Sequence, residues 1–258
     1  VALIVRGFAF EYRHQRPEAQ WTRGWDVAIT LGSLVPAIGW GVAFANIVAG
    51  VPIDADFEYV GGVGTLLNPH ALLGGLVTLL LFLTHGALFV ALKTDGEIRH
   101  RARGLALRVG LGAVVAAGIF LAWTQVKTGS ESSAIVFVLA ALALVGGLLA
   151  AWKGREGWAF TGTFLAIGLA FTGVFLALFP DVMPSSLDPT WSLTTTNAAA
   201  TAYTLKVMTW VAAFFTPIVV GYQAWSYWVF RRRLTTDHLP GHRRRPARGC
   251  PRGSPTSR

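Results

Sequence analysis

Apolar residues in this chain come in long blocks separated by short polar stretches. Blocks occupy 26–48, 70–92, 109–126, 134–151, 158–180 and about 204–230, and a shorter one fills 1–12. The block at 109–126 is short and borrows a turn from 105–108. About 20 apolar residues in a helix cross a hydrocarbon core of roughly 30 Å. The pattern therefore predicts an all-α, polytopic transmembrane helix bundle, with six complete spans and a partial N-terminal helix. The chain opens at Val1, inside the apolar run Val1-Ala2-Leu3-Ile4-Val5, which reads as a helix entered partway.

The polar stretches alternate in charge. Segments 13–24, 93–108, 152–157 and the chain from 231 onward are rich in Lys and Arg. Segments 49–69, 127–133 and 181–203 are poor in them and carry Asp54, Asp56, Glu58, Asp181 and Asp188. Basic loops stay on the cytoplasmic side, so span lengths and charges agree on a C-terminus in the cytoplasm. Two units follow. Residues 1–234 form the membrane domain, and 235–258 form a basic tail without an apolar period, expected to be disordered.

Composition supports this class. Hydrophobic residues make up 53% of the 258 and charged residues only 14%, against about 25% charged in soluble domains. The net charge of +9 lies in loops and tail, where Lys and Arg fix orientation, which argues against nucleic acid as a partner; the tail reads as solvated, with contact to anionic membrane lipid as the second reading. A lone Cys250 excludes an internal disulfide and a cysteine metal cluster. Tryptophans gather at span ends, for example Trp21, Trp25, Trp152 and Trp158, as an interfacial belt. Pro36 and Pro217 predict kinks. Gly74, Gly75, Gly110, Gly112, Gly146 and Gly147 predict close helix packing.

Groups able to hold a haem or carry protons are few. Four of the six histidines fall in loops or the tail, His70 falls at a span entrance, and only His85 is embedded. Membrane haems take His, Met or Cys ligands, and one embedded histidine does not make an axial pair. His85 therefore reads as a histidine bonded to a neighbouring helix, and neither a metal site nor a catalytic site is expected in this chain alone. Intramembrane charges are Arg6 and Glu11 on the partial helix, Asp26, read as a helix start, and Lys206 near the outer end of the last span. The centres of the spans between 70 and 180 carry no charge. That argues against an ion-coupled carrier.

The loops and span ends are more specific. Phe179-Pro180-Asp181-Val182-Met183-Pro184-Ser185-Ser186, Ser192-Leu193-Thr194, Asn197-Ala198, Thr204 through Ala212, Thr216-Pro217-Ile218 and Tyr227-Trp228-Val229-Phe230 resemble the C-terminal region of subunit II of cytochrome bd-type quinol oxidases. Phe10-Glu11-Tyr12-Arg13, Trp25-Asp26, Gly32-Ser33 and Leu66-Leu67-Asn68-Pro69 agree. The resemblance implies a fold of two four-helix bundles plus one peripheral helix. It implies a complex in the cell membrane that oxidises quinol and reduces dioxygen to water. The haems, b and d, belong to subunit I, with which this haem-free subunit pairs as a heterodimer, with room for a small accessory subunit. Relative to the family the first two helices are absent. On that template the partial helix is the third, 70–180 forms the second bundle and the last span is the ninth helix. Arg6 and Glu11 match the arginine and acid of the third helix and inherit a proton-path role. Two other readings compete: an assembly scaffold without a proton path, and a small-solute permease, for which internal repeats and midplane polar groups are missing.

Overall fold

The computed structural model describes residues 1–229; the tail expected at 235–258 lies outside them. Its helices are α1 (Ala2–Tyr12), α2 (Ala19–Ala49), α3 (Pro69–Lys93), α4 (Gly96–Thr128), α5 (Glu131–Trp152), α6 (Glu156–Leu178) and α7 (Ala202–Val229). All but α1 are long and apolar enough to cross a membrane, as the block pattern predicts.

Local chemistry sets the ends. Asn68 caps α3 by accepting from the Ala71 amide at 2.9 Å, and Pro69 opens the first turn, where its missing N–H costs nothing. Ser130 and Ser133 cap α5 reciprocally. Gly154 turns the chain between α5 and α6 at φ +75°, a conformation that side chains disfavour.

Two helix starts differ from the sequence expectation. The basic stretch 93–108 is not a loop: α4 begins at Gly96 and carries Arg99, His100, Arg101, Arg103 and Arg108 on its opening turns. A dense run of charge looks like a loop, but here it is helix that continues past the apolar block. Asp26 does not start a helix either. It sits in the third turn of α2, where Arg13 Nε donates to it at 2.6 Å.

Helices α3 to α6 form a four-helix bundle in which α3 packs on α4, α5 on α6, and α3 closes against α6. Its centre holds Ala71, Val77, Leu81, Ala113, Ala117, Phe120, Leu144 and Ala166. The abundance of alanine and glycine lets backbones approach. At the α2–α3 crossing a Cβ on Gly41 would overlap the Gly74 carbonyl and the Thr78 hydroxyl. Thr78 Oγ1 donates across that crossing to the Ala37 carbonyl at 2.7 Å. α1 packs on α2, with Gly32 against Ala2 and Arg6. α7 has no buried residue.

The two long acidic loops are stitched together. The Val51 amide donates to Pro184 O at 3.1 Å and the Ser186 amide to Val51 O at 2.9 Å. Ser185 Oγ donates to Ile53 O at 2.7 Å. A two-stranded hairpin, β1 (Asp181–Met183) with β2 (Leu193–Thr194), completes this cap. Within it the Thr190 hydroxyl and amide donate to Asp188 Oδ1 and hold its carboxyl below the ordinary value.

Candidate functional site

Polar chemistry inside the apolar helices concentrates at four places. The first lies where α3 begins. His70 is 3% exposed, with Nδ1 at 3.3 Å from Ala45 O and Nε2 at 3.3 Å from Thr124 Oγ1. A carbonyl only accepts, so Nδ1 carries the proton and Nε2 accepts from Thr124. The ring lies against Phe120 and edge-on to Trp123. Beside it Asn68 Nδ2 donates to Asn46 Oδ1 at 2.8 Å, and Asn46 Nδ2 donates to Val42 O and Leu66 O. His70 stands at the span entrance as the sequence predicts, and it is buried there between α2, α3 and α4.

The second place is His85, half-buried further along α3. Its Nδ1 lies 2.8 Å from Thr163 Oγ1 of α6, a hydrogen bond in which the ring or the hydroxyl can donate according to tautomer. Its ring stacks on Phe160 at 4.3 Å. This is the bond to a neighbouring helix that the sequence predicts.

A haem does not fit these two histidines. Both nitrogens of His70 are used within the helix packing. His70 and His85 also stand about 22 Å apart along one helix, at 1.5 Å per residue, so they cannot flank one iron. Of the methionines, Met183 lies in β1 and Met208 on exposed α7. Among the described residues no three His, Cys, Asp or Glu side chains gather as metal ligands.

The third place, at the basic end of the bundle, escaped the sequence reading. Glu156, 3% exposed, opens α6, and Arg99 donates to it with Nε at 2.8 Å and Nη2 at 2.9 Å. Arg103 adds a contact at 3.7 Å. The paired fork ties α4 to α6 with fixed geometry. The available signal was a carboxylate between Arg155 and an apolar block, facing a run of arginines.

Arg6 and Glu11 form the fourth. Arg6 is half-buried at the crossing with Gly32 of α2, and Glu11 is exposed near the end of α1. No hydrogen bond or ion pair joins them among the described residues. Glu11 lies beside a basic and aromatic collar, where Trp21 Nε1 donates to Tyr12 O at 2.9 Å and Tyr12 stacks on Trp25.

Comparison with known proteins adds the following. The family model described as cytochrome bd terminal oxidase subunit II matches residues 1–230. Cytochrome bd ubiquinol oxidase subunit 2 of Bacillus subtilis is 37% identical over 240 residues, which cover 91% of this chain and 71% of that one. Cytochrome bd-I ubiquinol oxidase subunit 2 of Escherichia coli K12 is 32% identical over 276 residues, covering 92% and 73%. A chain in the structure of bd oxidase from Geobacillus thermodenitrificans superposes with a TM-score of 0.68 at 17% identity, over 88% of this chain and 70% of that one. This last likeness is one of fold.

Proposed function

This chain belongs to the family of subunit II of cytochrome bd terminal oxidases, and on that premise we propose that it is the haem-free half of a heterodimer whose subunit I holds haems b and d. The complex takes electrons from membrane quinol, either ubiquinol or menaquinol, and reduces dioxygen to water. The observation that carries this reading is the family match over 1–230 on a multi-pass bundle. The occupied nitrogens of His70 support placing the iron chemistry in the partner. The haems, when present in the complex, supply electron transfer and oxygen reduction. The bundle here supplies a rigid neighbour for the subunit that carries them.

Arg6 and Glu11 serve proton supply in this reading. Glu11 stands exposed at the basic end of α1, where it can exchange protons with water, and Arg6 lies deeper on the same helix. The alternating loop charges support a cytoplasmic C-terminus, which puts Glu11 on the side from which protons are drawn.

The test is co-purification with a tagged subunit I, read by the haem absorption spectrum and by quinol-driven oxygen uptake. A complex with oxidase activity is expected; failure of the two chains to associate overturns the pairing. E11Q and R6Q are expected to lower turnover several-fold at unchanged haem content. Normal turnover in both would leave the scaffold role alone.

A further inference from the structure

A groove of about 460 Å³ opens on the outer face of the bundle between α5 and α6. Its floor is backbone: Gly147 and Gly162 face each other, and a Cβ on Gly162 would lie 2.7 Å from the Gly147 Cα. Gly146 leaves space on its α5 side, where a Cβ would meet nothing within 4 Å. From Ala143 to Lys153 the groove runs about 15 Å, at 1.5 Å per residue. Its mouth is at the basic end of the bundle, bounded by Lys153, Arg155 and Trp158.

The charge at that mouth is unbalanced. On neighbouring α4, Arg99, Arg101 and Arg103 are each taken by a carboxylate. Glu156, the acid nearest in sequence, is buried under Arg99. Lys153 and Arg155 are exposed and join no ion pair among the described residues. Trp152 and Trp158, each 70% exposed, mark the headgroup level beside them. An apolar slot of this length, closed at the headgroup level by two free cations, is complementary to one amphiphile with a negative head.

We propose that the α5–α6 groove seats an anionic phospholipid, its phosphate on Lys153 and Arg155 and an acyl chain along Gly146, Gly147 and Gly162. This goes beyond the oxidase reading and requires only that the chain span a membrane. Basic pockets between transmembrane helices bind such headgroups by the same chemistry. A zwitterionic lipid fits the slot equally well but brings no net charge to the mouth.

The experiment is native mass spectrometry of the purified oxidase complex, titrated with phosphatidylglycerol and separately with phosphatidylcholine. The tightest lipid site is expected to prefer phosphatidylglycerol. K153Q/R155Q should weaken that site on the order of tenfold for phosphatidylglycerol, the scale set by two basic side chains at an anionic surface, and barely for phosphatidylcholine. G146L fills the slot and keeps the cations, and should weaken both lipids. K153R/R155K should keep the preference. An unchanged preference in K153Q/R155Q overturns the proposal. So does wild-type affinity in G146L, or displacement by inorganic phosphate that G146L does not alter, since either would mean an ion on the rim rather than a lipid in the groove. Should K153Q/R155Q fail to assemble, the wild-type preference must fall as salt screens the charges, and a salt-independent preference would equally overturn it.

Discussion

Glu156 is a buried carboxylate held by arginine. With both oxygens taken by Arg99 and Arg103 nearby, it is an ion pair whose carboxylate is 3% exposed and whose Arg99 partner is 26% exposed. Removing Glu156 takes two charge-assisted hydrogen bonds from Arg99, which keeps Asp95 and water, at a cost of about 2 kcal/mol. E156A is therefore expected to lower the thermal midpoint of the purified complex by several degrees and E156Q by less. Equal midpoints for wild type and E156A would contradict the fork. This pair was hidden in the sequence because its members are 57 positions apart and both read as loop charge. His70 was half legible. Asn68-Pro69 announces a helix start, but which way residue 70 faces is not written in its neighbours. In water a buried face is apolar and the other polar, so period betrays direction. In lipid both faces are apolar, and the signal vanishes.

Elements were more legible than their ends. Each apolar block became a helix because about 20 apolar residues leave the backbone no other partner in a bilayer. The ends moved where helix outlasts membrane. With 33 residues α4 is about 50 Å long, against a hydrocarbon core of roughly 30 Å. Its surplus turns stand in water and are supported by Glu97–Arg101 at 2.5 Å and Asp95–Arg99 at 3.8 Å. Charge was read as the end of the helix when it marked only the end of the hydrocarbon. Packing between elements yields a sharper expectation. Gly41 has the Gly74 backbone against it, whereas Gly118 has nothing within 4 Å of a Cβ. Backbone cannot step aside as a side chain tip can. G41V should separate α2 from α3 and sharply reduce recovery of haem-loaded complex, and G118V should leave recovery near wild type. Similar recovery for the two would mean that the α2–α3 crossing is not that close.

At the scale of the molecule, the alternation of basic and acidic segments gives an orientation that labelling tests. In a C250S background, D56C lies in the acidic cap and R101C on the basic overhang of α4, both exposed. A membrane-impermeant maleimide applied to intact cells should label D56C, and R101C only after permeabilisation; the opposite pattern would invert the assigned sides. The same scale divides the chain by the slack between its helices. Bundle helices α3 to α6 are joined only by 94–95, 129–130 and 153–155, whereas 50–68 and 179–201 lead in and out of them. Connections that short place each helix beside the one before it, so the bundle has a single circuit and no alternative threading. A break inside it strands a helix. A break in 179–201 leaves two pieces that each keep whole helices, so the long loops, not the turns, are where such a chain tolerates being split, lengthened or fused to another.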